Sequence, residues 1–105
     1  MQYLDEQDLF CKQIKVDVAS HSPQMDDIKE LLRDELENLA PIQGIYPVYS
    51  TVRNKRIEPS EMDAAYWVEN LRNTVQFESV IKNLLKDNHK LFLEVSPHPL
   101  LKTTI

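Results

Sequence analysis

Glycine is almost absent from this chain, which has one glycine, Gly44, among its 105 residues. Phosphate-binding loops and the serine elbow of hydrolases each need several glycines, because their backbones turn sharply or approach a ligand closely. A nucleotide-phosphate loop and a Gly-x-Ser-x-Gly nucleophile are therefore both excluded within these residues.

Cysteine, basic residues and long apolar runs are also scarce. The single Cys11 cannot form an internal disulfide, so we expect a reducing, cytoplasmic compartment. No apolar run approaches the roughly 20 residues of a membrane span, so we predict no membrane partner. Seventeen acidic residues against twelve basic ones give a net charge of -5 and argue against a nucleic acid partner. The basic cluster at 53–56 predicts a solvated turn or, alternatively, a docking point for an acidic partner.

Hydrophobic periodicity predicts strands that alternate with helices. Residues 11–18 alternate with a period of two, which indicates a half-buried strand. Ser22 as N-cap and Pro23 at the first helical position then predict a helix over 23–39. The next predicted element is a strand pair, in which an edge strand over 45–52 turns back at 53–56 toward Ile57. The later predicted elements are helices over 61–72 and 76–87, a C-cap over 87–89 with Asn88 left-handed, an interior strand over 91–95, and a helix after Leu100. This order predicts an α/β domain with a partly parallel sheet.

His21 lies where the predicted strand over 11–18 meets the predicted helix over 23–39. The positive end of that helix disfavours a charged ring, so we expect an imidazole that stays neutral and accepts a proton near pH 7. Such a ring fits a general base for a Ser or Cys nucleophile supplied by another stretch of polypeptide. The alternative is that His21 only caps or fills the junction.

The remaining candidate residues have simpler structural interpretations. His89 fits a partner for a helix C-terminus. His98, held rigidly between two prolines, has a structural role or, alternatively, lies near a site. Cys11 has no flanking base to activate it. Tyr66 and Trp67 are predicted as core anchors. Because the histidines are neither paired at helical spacing nor close to the cysteine, we predict no metal site.

Four separated stretches together resemble a known family. They are VDVASHSPQM (16–25), YPVYSTV (46–52), DAAYWVENLRNTVQF (63–77) and FLEVSPHPLL (92–101). In order and spacing they are similar to the C-terminal part of the acyltransferase domains of modular polyketide synthases, which resemble the malonyl-CoA:acyl carrier protein transacylases of fatty acid synthesis. The resemblance implies transfer of a malonyl-type unit from coenzyme A to the phosphopantetheine thiol of an acyl carrier protein through an acyl-serine. It implies no bound cofactor, and it implies neighbouring synthase domains as partners.

The resemblance also assigns roles to individual residues. It implies that His21 is the general base, and that the main-chain carbonyl of Asn70 holds the other N–H of its ring. Val18, Ala19 and Ser20 are implied to line the acyl pocket. With His21 they form a Val-Ala-Ser-His tetrad similar to the branched-extender (methylmalonyl) version of the family's selectivity motif, since Ser20 in place of a phenylalanine leaves room beside the substrate's α-carbon.

The implied fold has two parts. Residues 1–18 would close a small ferredoxin-like subdomain, and residues 19–105 would form the C-terminal part of an α/β-hydrolase-like acyltransferase subdomain that is incomplete here. Because the nucleophilic serine motif is absent from this chain, we expect the chain alone to be inactive. The alternative is a non-catalytic remnant or a docking module that binds a carrier protein or a neighbouring synthase domain.

Overall fold

The structure, a computed structural model, describes Gln7, residues 19–99 and Leu101. Within these residues lie an antiparallel hairpin, three α-helices and two 3-10 helices. The strands are β1 (Val48–Ser50) and β2 (Lys55–Ile57); the α-helices are α1 (Lys29–Glu35), α2 (Ala64–Arg72) and α3 (Phe77–Lys86); the 3-10 helices are Pro23–Ile28 and Pro59–Glu61. The predicted strand over 11–18 and the predicted helix after Leu100 lie outside the described residues.

The first helical region begins where the sequence predicts. The Oγ of Ser22 accepts a hydrogen bond from the Gln24 N–H at 3.2 Å, which confirms Ser22 as the N-cap. The region starts as the 3-10 helix Pro23–Ile28 and becomes α-helical only at α1, which ends at Glu35. The prediction of a helix is confirmed, but the continuous α-helix expected over 23–39 is shorter and begins as a tighter turn.

The hairpin confirms the predicted strand pair, but its first strand is shorter than the edge strand predicted over 45–52. Val48 pairs with Ile57 and Ser50 with Lys55. Asn54 closes the intervening turn with a φ of 50°, in the left-handed region that asparagine tolerates. Strands joined by so short a connection must run antiparallel, so the partly parallel sheet of the prediction is not found among the described residues.

The next two helices match the prediction closely. Asp63 caps α2 by accepting a hydrogen bond from the Tyr66 N–H at 2.9 Å. α3 covers nearly all of the predicted 76–87. Asp87 is its C-cap, and Asn88, the next residue, has the predicted left-handed conformation with a φ of 67°.

The interior strand predicted over 91–95 is wrong for this structure. No strand forms there, and the side chains of Leu91, Leu93 and Val95 are 92%, 87% and 91% exposed. A strand needs a neighbour to take its backbone hydrogen bonds, and the described residues place none beside this segment.

A small core joins the hairpin to α2. Val52, Ile57 and Tyr66 are buried together, with Val48 and Met62 packed against them. Within this core the Tyr66 hydroxyl donates to the buried Oγ of Ser50 at 3.2 Å, which satisfies both polar groups. The core therefore fixes α2, and α2 carries the residues that face His21.

The single glycine is required by its close approach to Pro59, the first residue of the second 3-10 helix. A Cβ added to Gly44 would lie 2.7 Å from Cγ and 3.1 Å from Cβ of Pro59. The proline ring cannot swing aside, so any side chain at this position would push the segment of Gly44 away from the 3-10 helix.

Candidate active site

His21 is held in an unusual backbone conformation at the end of α2. Its φ is 63°, in the left-handed region that residues other than glycine rarely adopt. Its N–H donates to the Leu71 carbonyl at 2.7 Å. The last carbonyls of a helix lack partners inside the helix, so this contact satisfies one of them and fixes the backbone of His21.

A second contact orients the ring of His21. Its Nδ1 lies 3.0 Å from the carbonyl oxygen of Asn73, the C-cap of α2. A carbonyl can only accept, so Nδ1 carries the proton, and in the neutral ring Nε2 keeps its lone pair. Among the residues that the structure describes, none forms a hydrogen bond with Nε2. The arrangement therefore presents a fixed ring with a free basic nitrogen.

The carbonyl at His21 belongs to a different residue from the one predicted. We expected Asn70 to supply it, and the structure places Asn73, one helical turn later, against Nδ1. Asn70 lies in the last turn of α2 and lines the cavity beside the ring. The two asparagines thus share the site, but only Asn73 contacts the imidazole nitrogen.

A cavity of about 590 Å³ opens beside the His21 ring. Its polar lining comes from Ser20, His21 and Asn70. Its apolar lining comes from α1, the turn that follows α1, and α2, which contribute Leu32, Leu36, Leu39, Trp67 and Leu71. A mainly apolar cleft with a few polar groups at one end is typical of a small-molecule site. Trp67, predicted as a core anchor like the buried Tyr66, is 37% exposed and lines this cleft instead.

The segment before His21 is tied down locally. The Ser22 hydroxyl donates to the Ala19 carbonyl at 2.6 Å. Ala19 and Ser20 are half-buried, and of these two Ser20 lines the cavity. Val18, the third predicted pocket residue, lies outside the described residues.

An ion pair links the 3-10 helix after His21 to the end of α2. Arg72 Nε lies 2.9 Å and Lys29 Nζ 2.7 Å from the same oxygen of Asp26, its Oδ1. The hydrogen bonds from Arg72 and then Lys29 lower the pKa of Asp26 to about 2. The sequence gives no direct signal for this contact, because Asp26 and Arg72 are far apart along the chain.

The predicted basic turn is only partly solvated. Arg53 lies over the Tyr66 ring at 5.2 Å and pairs with both oxygens of Glu69, at 2.8 and 3.3 Å. Glu61 adds a third contact at 3.4 Å, and the hydrogen bond to Glu69 raises the pKa of Arg53. Arg53 therefore fastens the hairpin to α2 and is not free to dock a partner, whereas Lys55 is exposed.

The other histidines lie outside the cavity beside His21. The ring of His89 packs edge-on against Tyr49 at 5.8 Å, and the Tyr49 hydroxyl donates to Asp87 at 2.7 Å. That hydrogen bond raises the pKa of Tyr49. His98 is exposed. Within the described part of the chain, no group of three or more His, Cys, Asp or Glu residues could hold a metal ion.

Among the described residues, no helix combines the length and the apolar character needed to cross a bilayer.

Comparison with known proteins finds relatives along the whole chain. The sequence model of the family described as "Acyl transferase domain" matches residues 1–105. The spectinabilin polyketide synthase system protein NorA of Streptomyces orinoci is 46% identical over 90 residues, which are 86% of this chain and 5% of that protein. A mycocerosic acid synthase-like polyketide synthase of Mycobacterium tuberculosis is 41% identical over 97 residues, which are 92% of this chain and 5% of that protein. The chain thus spans a small fraction of the length of these relatives.

Solved structures give the same result. The acyltransferase domain from module 8 of the salinomycin polyketide synthase superposes with a TM-score of 0.87 at 37% identity, covering 98% of this chain and 24% of that one. A loading acyltransferase from the avermectin modular polyketide synthase superposes with a TM-score of 0.85 at 37% identity, covering 97% and 32%. These neighbours have an α/β fold. The chain therefore belongs to the acyl transferase domain family, in the form found in polyketide synthases.

Proposed function

We propose that this chain is part of an acyltransferase that moves a malonyl-type extender unit from coenzyme A to the phosphopantetheine thiol of an acyl carrier protein. His21 acts as the general base. The nucleophile is a serine on polypeptide outside these 105 residues, since a chain with one glycine cannot form the Gly-x-Ser-x-Gly elbow.

One observation carries this proposal: the His21 ring donates through Nδ1 to a main-chain carbonyl at 3.0 Å and keeps Nε2 free beside a cavity. In serine acyltransfer the same division of roles is needed, because one nitrogen must be held while the other exchanges a proton with the nucleophile. A carbonyl from Asn73 performs the orienting part here without adding a charge to the site.

The proposed reaction has two matched halves. His21 Nε2 takes the proton of the serine hydroxyl while the serine oxygen attacks the thioester carbonyl, and the same proton then leaves with the coenzyme A sulfur. In the second half Nε2 takes the proton of the phosphopantetheine thiol, whose sulfur attacks the acyl-serine. The proton returns to the serine oxygen as the new thioester forms, so no proton or electron is gained or lost.

The selectivity residues and subdomain limits belong to the same proposal. Val18, Ala19 and Ser20 line the acyl pocket, and Asn70 lies at its wall beside the base. Ser20 favours a branched extender such as methylmalonyl because its small side chain leaves space in the cavity. Residues 1–18 end a ferredoxin-like subdomain, and residues 19–105 belong to the larger α/β subdomain.

The partners follow from the reaction. Acyl-coenzyme A is the donor, the acyl carrier protein is the acceptor, and neighbouring synthase domains hold the two together in the cytoplasm. The transfer needs no metal or bound cofactor, since serine and histidine supply both the covalent and the proton-transfer chemistry.

The test is the substitution His21→Ala in the complete acyltransferase domain. The rate of acyl transfer from coenzyme A to the carrier protein should fall by roughly 10²- to 10⁴-fold, the usual contribution of a positioned proton-transfer group. Single-turnover assays with labelled malonyl- and methylmalonyl-coenzyme A measure both the acyl-serine and the final product.

His98→Ala is the matched control, because His98 is exposed and does not line the cavity. It should transfer at the rate of the unaltered domain. Undiminished transfer by His21→Ala would remove the proposal, as would equal losses in the two variants.

A further inference from the structure

Arg72 occupies a distinctive place in the chain, between the two residues whose carbonyls hold His21. The Leu71 carbonyl accepts from the His21 N–H, and the Asn73 carbonyl lies against its Nδ1. Asp26, the partner of Arg72, lies in the 3-10 helix that starts two residues after His21. The ion pair therefore joins the same two segments that meet at the histidine.

The geometry of the Arg72–Asp26 pair suits a contact that holds the 3-10 helix against the end of α2. Arg72 Nε lies 2.9 Å from Asp26 Oδ1, and the two side chains are 29% and 43% exposed. Charge-assisted hydrogen bonds of this length are directional. Lys29 contacts the same oxygen, but it lies in α1, which continues directly from the 3-10 helix of Asp26, so its bond does not cross to α2.

We propose that Arg72 and Asp26 are positioning residues for His21, which together set how the 3-10 helix sits against the end of α2 and thereby keep the ring on the Asn73 carbonyl. The catalytic consequence rests on the proposed function. The position of the His21 ring does not rest on that function, and it can be measured without an activity assay.

The strained backbone of His21 explains why the ion pair matters in addition to the two hydrogen bonds to the carbonyls of Leu71 and Asn73. The left-handed conformation of His21 is unfavourable for a residue other than glycine, so two hydrogen bonds hold a segment that tends to relax. A shift of about 1 Å at a reacting group can cost roughly 10²-fold in rate. Partly exposed ion pairs contribute little to global stability, so the effect of this pair should be on ring geometry more than on melting.

The experiment compares Arg72→Gln with Lys29→Gln in the complete domain. Both remove one positive charge from the same Asp26 oxygen, but only Arg72→Gln breaks the link to α2. Nitrogen-15 NMR of the imidazole reports which ring nitrogen is protonated. The unaltered domain and Lys29→Gln should show His21 protonated on Nδ1, and Arg72→Gln should show a mixture of the two neutral forms.

The kinetic measurement separates positioning from substrate binding. In Arg72→Gln, kcat for acyl transfer should fall by about 10- to 100-fold, because the base is misplaced. KM for acyl-coenzyme A should stay within about twofold, because neither partner of the ion pair lines the cavity. Lys29→Gln should keep both constants.

A charge-swapped variant, Asp26→Arg combined with Arg72→Asp, shows whether the pair itself matters. It should restore most of the Nδ1-protonated ring and of kcat. A ring signal unchanged in Arg72→Gln overturns the inference whatever the activity, and so does an equal change in Lys29→Gln or a swapped pair that restores nothing. Inactivity of the unaltered domain would instead count against the proposed function and leave the ring measurement standing.

Discussion

At the scale of the single residue, His21 combines a strained backbone with a fixed ring. Its positive φ turns the chain sharply between the segment of Ala19 and Ser20 and the 3-10 helix that follows. Strain of this kind persists only where surrounding contacts over-determine it. Two carbonyls from the end of α2 provide those contacts, so the conformation and the orientation of the ring are set together.

Ser20 should control how large an acyl group the cleft accepts. Replacing it by phenylalanine places a ring in the cavity that Ser20 and His21 line. Under the proposed function, that ring removes room beside the substrate's α-carbon. One methyl in a pocket is worth about 1–3 kcal/mol, so Ser20→Phe in the complete domain should lower the methylmalonyl-to-malonyl ratio by about tenfold. A competition assay with both coenzyme A esters in one mixture measures this ratio directly.

Ser79→Phe adds the same ring at an exposed position of α3 and serves as the control. It should leave the ratio unchanged. If Ser20→Phe transfers both extenders in the original proportion, Ser20 does not line the acyl pocket in the working enzyme.

The sequence locates the junction that carries His21 better than it locates the residue that contacts its ring. His21 is marked by its position between a predicted strand and a capped helix. The sequence does not indicate whether Asn70 or Asn73 supplies the carbonyl. Several carbonyls at the end of any helix are without partners, and only the packing decides which one contacts the ring. Arg53 was missed for a similar reason, since its carboxylate partners come from separate elements.

At the scale of the element, the predictable parts are those whose signals are local. Capping residues and apolar stripes located α2 and α3 within about a turn, and Asn88 marked the end of α3. The structure of segment 91–95 does not depend on local signals alone. Its apolar character suits a strand, but its backbone needs a neighbouring strand, and none lies beside it in the described part of the chain.

Protonation of Asp26 at low pH should weaken the contact between its 3-10 helix and α2. Its pKa in the folded chain is about 2, below the roughly 3.9 of an unfolded aspartate, because Arg72 and Lys29 hold the charged form. The ionised carboxylate therefore stabilises the fold fully above about pH 4, and this contribution is lost as the pH falls toward 2. Because the pair is partly exposed, the free energy of unfolding of Asp26→Asn should lie only slightly below that of the unaltered domain at pH 5–7, and the two should converge near pH 2.

Urea denaturation of both proteins across this pH range measures the difference. Asp27→Asn removes the same charge from the same 3-10 helix, and the structure shows no ion pair for Asp27 within the described residues. It therefore isolates the effect of net charge alone. A difference for Asp26→Asn that stays constant down to pH 2 would contradict the assignment.

At the scale of the whole molecule, the described residues bury very little. The buried apolar side chains are Val52, Ile57, Tyr66, Val68 and Val80. Large apolar side chains remain exposed in two segments, with Ile42 and Ile45 at 82% and 87% and Leu91 and Val95 at 92% and 91%. The solved acyltransferases superposed on this chain are three to four times longer, and we expect the rest of such a domain to cover these segments.

The 105-residue chain on its own should therefore associate with itself. Exposed apolar segments of this kind bind one another, so the apparent mass and the melting temperature should rise with protein concentration. Replacing Leu91, Leu93 and Val95 by lysine should reduce association, which light scattering coupled to size-exclusion chromatography measures.

Three lysines at exposed polar positions provide the charge-matched control, at Gln24, Asn38 and Thr74. Because both triple variants gain the same three charges, general repulsion is equal in the two, and only the first removes apolar surface. The control should therefore associate more than the 91, 93 and 95 variant. A sharp melt of the unaltered chain at one temperature over a hundredfold range of concentration would show that the segment over 91–95 is covered within the chain, and that these 105 residues can fold without the remainder of the domain.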